Sequence, residues 1–349
     1  MKINHEIPVE AGQKFQVDAF KEVDAPGIAN LFYTVYGADY PFETYYNPEK
    51  IIAENRCGNL HSVVARTPGG DVIAHGAIFR SSAPCPNLYE LGQYIVLKSY
   101  RDSFAAYKIN QYIAETLLKA VNPDGLFGEA VCNHTTTQKA AALIGMKDTA
   151  LEVALMPSET YRKEKNGAED RVSCLIQFMS CHDKPLTVFV PPAYREEAEF
   201  VFADPDFRRT LLDSVVPLPP DVTSNYTTTS FPFAGVVRTN VATAGRDISA
   251  IIDEVECEAA ANGMEVLQFF LNLAMPWSGK LVGVFRDRGY FSGGYIPRWF
   301  DTDAILMQKN RTAPNFENIA LYSSRAQTLK AFVQSDWVRG EKRRGITSS

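Results

Sequence analysis

A chain of 349 residues is longer than one ordinary core organises, so two domains are expected. Its 46% hydrophobic and 22% charged composition suits a globular protein, and a net charge of −6 argues against a broad nucleic-acid surface. There is no bilayer-length apolar run, no signal-peptide core near the start and no Cys-x-x-Cys among six scattered cysteines, so a cytoplasmic protein without membrane span or disulfide framework is expected.

Residues 15–20 alternate as a first strand. Asp24 and Pro26 then open a helix in which Ile28, Leu31, Phe32 and Val35 keep helical spacing, and Gly37 stops it. Around Gly37, Pro41 and Pro48 stand Tyr33, Tyr36, Tyr40, Phe42, Tyr45 and Tyr46. So many aromatics in a turn-rich stretch serve either a packed corner or contact with a substrate. Residues 61–65 and 72–79 form a hairpin around Pro68-Gly69-Gly70-Asp71. His75 lies mid-strand, where a core histidine with its own partners competes with one facing an acceptor.

Residues 90–97 continue an antiparallel sheet, and the strand ends through Val96 into Tyr100-Arg101. Residues 102–106 form the turn entering a helix. Such a turn gathers unpaired amides and the positive end of the helix dipole at one spot, ready for an anion. Ile109, Tyr112, Ile113, Thr116, Leu117 and Ala120 supply the buried stripe of that helix. Pro123 and Gly125 punctuate its end, 126–131 reads as the next strand, and a second strand–helix unit runs through Asn133, His134, Gln138 and Gly145 to a strand at 151–156.

Residues 158–170 carry almost no apolar side chains and read as a linker between domains 1–157 and 171–349. Beyond them come strands at 172–178 and 186–190, a helix from about 192 to 202, and a Thr/Ser/Pro-rich loop over 217–232. Strand 236–241, a helix keyed by Ile248, Ile251, Ile252, Val255 and Ala259, strand 266–273, a helix at 279–286, Gly289-Tyr290-Phe291 and strand 304–308 follow. This order repeats that of the first domain's second half.

Glu90-Leu91, Val96 and Tyr100-Arg101, a turn closing on Ala106, and Gly145-Met146 after a second strand–helix unit resemble the GNAT superfamily of acyl-CoA N-acyltransferases. The resemblance covers about residues 15–157 and implies a mixed, mostly antiparallel sheet flanked by helices, here in tandem. The second copy has no cofactor turn of its own, since Gly245-Arg246-Asp247 lacks the family pattern. The resemblance also implies acetyl-CoA or another acyl-CoA as co-substrate, held by Val96, Arg101, Asp102, Ser103, Phe104, Ala105, Ala106, Asn133 and Gln138. Phe104 stands where the family has an inner glycine, so its side chain must turn away from the anion. The Tyr that often acts as general acid is replaced by Ala140-Ala141-Ala142.

Acyl transfer to an amine needs near-attack positioning, a base for the ammonium proton and a polarised thioester carbonyl. Glu90 is the leading base and His134 the second catalytic candidate; Tyr36, Tyr40, Tyr46 and His75 are candidates for contact with the acceptor. No metal is expected, because neither His-Glu-x-x-His nor a spaced Cys/His cluster occurs. The acceptor would be a small-molecule or protein amine, with neither nucleic acid nor membrane as partner and with room for a homodimer. Two rival readings are an acyl-CoA-binding regulator without catalysis and a tandem transfer-RNA-dependent aminoacyl transferase.

Overall fold

Helix and strand signals in the first part of the chain translate directly into structure. The computed structural model describes residues 2, 6–38, 40–161 and 169–343. Strand β1 (Gln16–Ala19) precedes helix α1 (Ala25–Tyr36), which has Pro26 in its first turn and buries Ile28, Leu31 and Phe32. Helix α2 (Pro48–Cys57) comes next, capped by the Asn47 side chain and ended by Gly58 in the left-handed region. The sequence reading passes over α2 because only Ile51 is buried in it; the Asn-Pro start and Gly stop are its available signals. Strands β2 (Leu60–Arg66), β3 (Val72–Phe79) and β4 (Leu88–Val96) form an antiparallel meander with β1 at its edge.

Helix α3 (Ala105–Tyr112) runs through a π turn (Ile113–Leu117) into the single turn α4 (Leu118–Val121). Ile109, Ile113 and Leu117 are buried, whereas Thr116 and Ala120 are exposed. The extra residue of a π turn rotates the later side chains about the helix axis and breaks the expected stripe. Strand β5 (Gly125–Val131) then pairs in parallel with β4 from Leu88↔Gly125 to Glu90↔Phe127.

The chain divides into two compact units inside β5, at Gly128/Glu129, rather than in the polar 158–170 stretch. The first holds the chain up to Ser82 plus Pro86–Gly128; the second holds Ala83–Cys85 plus the chain from Glu129 onward. Residues 162–168 of the expected linker lie outside the described residues.

The second unit contains α5 (Thr136–Leu143), β6 (Lys147–Met156), β7 (Val172–Ser180), β8 (Leu186–Val190), α6 (Arg195–Phe202) and β9 (Arg209–Asp213). It continues with β10 (Asn225–Phe231), β11 (Val236–Thr243), α7 (Ile248–Ala261), β12 (Val266–Asn272), α8 (Ser278–Asp287), β13 (Phe291–Ile296), β14 (Ala304–Asn310) and α9 (Ser324–Arg343). Strands β8 and β9 pair in parallel as a small separate sheet, and the main strands run β7-β6-β13-β14-β12-β11-β10. The seam between β6 and β13 is tight. A side chain on Gly294, whose φ is +112°, would come within 2.7 Å of the Ala150 Cα.

The expected loop over 217–232 is corrected: Asn-Tyr-Thr-Thr-Thr-Ser-Phe forms edge strand β10, antiparallel to β11. It is mostly exposed, so no apolar alternation marks it, and only its β-branched threonines argue for extension. Two sets of elements share one order. In β4-α3-β5-α5-β6-β7 and β11-α7-β12-α8-β13-β14, the first two strands are parallel neighbours and the last strand is inserted between the second and third.

Candidate functional site

The candidate site lies on β4 and the turn that leaves it, within the first unit. Opposite Ala77 stands Gly92, but opposite His75 stands Ile95, so β4 spends three residues where β3 spends two. Gln93, at φ +57°, sits in this bulge. A non-glycine residue there costs on the order of 1 kcal/mol and persists only when neighbours hold it. They do. The ring of His75 donates from Nδ1 to the Gln93 carbonyl at 2.9 Å and accepts from Ser62 Oγ at Nε2 at 3.0 Å. The Tyr40 hydroxyl donates to the Gln93 side-chain oxygen.

His75 is 0% exposed, and burial pushes it down to about 4, so it is neutral at physiological pH. Acceptor contact is therefore corrected for His75: its ring is enclosed, both nitrogens are committed, and its task is to clamp the bulge. The ladder between β4 and β5 ends at Glu90↔Phe127, just before the bulge, although β4 continues to Val96.

Glu90 is half-buried and shares a face with Gly92 and Phe79. That face carries the aromatic cluster. Phe32 stacks on Tyr45 with centroids 4.4 Å apart, Tyr40 meets Phe32 and Tyr36 at 4.9 Å each, and Phe42 lies 5.8 Å from Tyr40. Tyr45 and Tyr46 are buried, and the Tyr46 hydroxyl accepts the Tyr40 amide at 2.8 Å. Tyr46 is thus part of the packed floor, whereas Tyr36 and Tyr40 stay half-buried and Phe42 exposed. Burial pushes the Tyr40 and Tyr45 phenols above their ordinary range, and the Glu90 charge adds to both. The carboxylate is therefore close enough to be felt by the rings.

Past Val96 the chain makes a 3-10 turn (Lys98–Tyr100) and reaches α3 through Arg101, Asp102 and Ser103. The Tyr100 hydroxyl donates to the Glu10 carbonyl at 2.6 Å, anchoring the turn from beneath. Ser103 Oγ donates to the Tyr100 carbonyl at 2.6 Å and accepts the Ala105 amide at 3.2 Å, while the Ser103 amide donates to the Tyr100 carbonyl at 3.0 Å. The turn thus satisfies part of its own amide set, and the first turn of α3 contributes the remaining helix-end donors. Arg101, Asp102 and Ala106 are exposed, Ala105 is buried, and Phe104 is 74% exposed.

Asn133, His134 and Gln138 belong to the second unit. Gln138 is corrected from cofactor contact to structural anchor. It is 1% exposed, donates to the Ala320 carbonyl at 2.9 Å and accepts the Tyr322 amide at 2.9 Å. His134 is half-buried, and its Nδ1 accepts the Thr136 amide at 3.3 Å at the start of α5. Sequence reasoning also missed a buried charged cluster in this unit. Arg238 donates to Glu152 at 2.8 Å, to Glu129 at 3.1 Å and to Gln268 at 3.0 Å, and burial pushes the Glu152 carboxyl up. The one signal was a charged residue inside the otherwise uncharged strand Val-Val-Arg-Thr-Asn.

No family model and no curated protein matches the chain. Solved acetyltransferases are similar to its N-terminal half. One is a ribosomal-protein-S5-alanine acetyltransferase from Vibrio fischeri, 15% identical over 50% of this chain and 96% of its own, at a TM-score of 0.36. Another is an acetyltransferase of the GNAT family from Staphylococcus aureus Mu50, 11% identical over 48% and 99%, at 0.34. A third, the Salmonella typhimurium protein yncA, assigned as an acetyltransferase and solved with its cofactor acetyl-CoA, is 9% identical over 48% and 94%, at 0.38. These are likenesses at low identity, and function has to be read from this chain's own strands and side chains. Among the described residues no helix is long and apolar enough to cross a membrane.

Proposed function

We propose that the chain is an acyl-CoA-dependent N-acyltransferase, with acetyl the simplest acyl group and a primary amine of a small molecule or protein as acceptor. The observation that carries this reading is the order of features along β4. A half-buried carboxylate, a clamped backbone bulge and a turn opening a helix succeed one another on a single strand. The bulge frees β4 from its ladder where a thioester would lie, and the Arg101 turn suits the pyrophosphate of an acyl-CoA. The half-buried rings of Tyr36 and Tyr40, 4.9 Å apart and with Tyr40 within the influence of the Glu90 charge, suit an ammonium group, which aromatic faces and a carboxylate both attract.

In the reaction Glu90, directly or through a water, takes a proton from the acceptor ammonium. The freed amine attacks the thioester carbonyl carbon, the C–N bond forms as the C–S bond breaks, and the coenzyme leaves as a thiolate that takes up a proton. The second set of elements, β11 to β14, would be a GNAT-like repeat that supports the first.

Glu90→Gln tests this. The variant should keep acyl-CoA affinity while kcat falls by roughly 10²–10⁴, with a residual rate that rises with pH. Wild-type turnover in the variant would move the base elsewhere, with His134 the next residue to change. Tight acyl-CoA binding without turnover on any amine would mark a sensor instead.

A further inference from the structure

Resting on the donor reading above, we infer that the chain itself fills the second repeat's equivalent of the donor turn, so that each polypeptide takes one acyl-CoA. By order, the turn between β11 and α7 corresponds to the turn between β4 and α3. A turn that opens a 14-residue helix offers amides and the positive end of its dipole. Here two amides of the turn just ahead of the helix, those of Gly245 and Arg246, already have an occupant. The segment 222–224 crosses the turn: the Gly245 amide donates to Ser224 Oγ at 2.9 Å, and the Arg246 amide donates to the Val222 carbonyl at 3.1 Å.

The occupant is locked from its own side. The Ser224 amide and hydroxyl donate to one oxygen of Asp247 at 2.9 and 2.8 Å, and this holds the Asp247 carboxyl below its usual range. Gly245 shows how close the approach is, for a Cβ built there would stand 1.9 Å from the Val222 carbonyl oxygen. Behind the turn, Trp277 Nε1 donates to the Ala244 carbonyl at 2.9 Å. A neutral carbonyl and a hydroxyl thus sit where an anion's oxygens would be received. In the first repeat Arg101, Asp102, Phe104 and Ala106 are exposed and Ala105 is buried; in the second Ala244 and Gly245 are buried and Arg246 is exposed.

Titration calorimetry of the full chain with coenzyme A, and hydrogen exchange on the free protein, test the two halves of the proposal. One coenzyme A should bind per chain. Arg101→Glu should weaken it by roughly tenfold or more, and Arg246→Glu, which alters an exposed side chain, should leave it unchanged. Two sites per chain, or a single site lost in Arg246→Glu and kept in Arg101→Glu, would overturn the inference. If the wild-type chain bound no coenzyme A, the donor reading itself would fall, and exchange would still judge the plug. The Gly245 and Arg246 amides should be protected by their bonds to segment 222–224; exchange as fast as an open loop would sink it.

Discussion

Glu197 is the sharpest place to test the physics of the second unit. It lies on α6 and is 3% exposed, and burial pushes its carboxyl up to about 8 from an ordinary 4.5. Ser292 Oγ stands 3.2 and 3.1 Å from its two oxygens and favours the charged form, yet burial outweighs that bond, and the nearby Asp336 charge adds to the upward push. Asp336 itself is well served, accepting from Tyr194 at 2.6 Å, the Ser292 amide at 2.8 Å and Arg339 at 2.6 Å.

An acid whose folded value is raised binds a proton in the folded state that the unfolded chain has already released. Below about pH 4.5 the two states do not differ at this residue. From there to about pH 8 stability falls by about 1.4 kcal/mol per pH unit, a ceiling near 5 kcal/mol. Glu197→Gln keeps the shape and removes the titration. Relative to the parent, the variant should gain on the order of 3 kcal/mol between pH 5 and pH 8. Urea unfolding followed by tryptophan fluorescence is the suitable assay, because Trp277, Trp299 and Trp337 all lie in the second unit. Stability curves of parent and variant that run parallel across this range would refute the reasoning.

The clamp at the β4 bulge gives a second expectation: His75→Leu should lower stability by about 1–3 kcal/mol, since it takes the ring's donor from the Gln93 carbonyl and leaves the buried Ser62 Oγ with only the Asn55 side-chain amide at 3.3 Å. If the donor reading holds, the same change should weaken acyl-CoA binding, which calorimetry would register. At the β6–β13 seam, Gly294→Ala should cost more than about 2 kcal/mol in denaturant unfolding, from the left-handed backbone and a contact that backbone atoms cannot yield.

Much of the first unit was legible in the residues because its signals are local. The Pro-Gly-Gly-Asp turn marked the hairpin of β2 and β3, an apolar run marked β4, and Pro26 and Gly37 bracketed α1. The strand–helix–strand order of both halves, the site strand β4 and its turn into α3 were readable for the same reason. Features that depend on distant partners were not. Nothing in Gly92-Gln93 announces a positive φ at a glutamine; the bulge exists because His75 and Tyr40, 18 and 53 residues away, bond to it. Gln138 looked like a cofactor residue until Ala320 and Tyr322 arrived to take its amide.

The domain division was hidden too. A polar stretch records where a chain is solvated, whereas compact units depend on which strands pair, and those pairings bring β5's end together with β6 and β7 across the polar segment. Sequence alone could say that Gly245-Arg246-Asp247 lacks a donor-turn pattern. Only the tertiary structure decided what closes that turn, because the occupant, Val222 to Ser224, comes from a Thr/Ser/Pro-rich stretch with no pattern of its own. Its carbonyl and hydroxyl acquire meaning when the fold sets them against two amides of the turn ahead of α7.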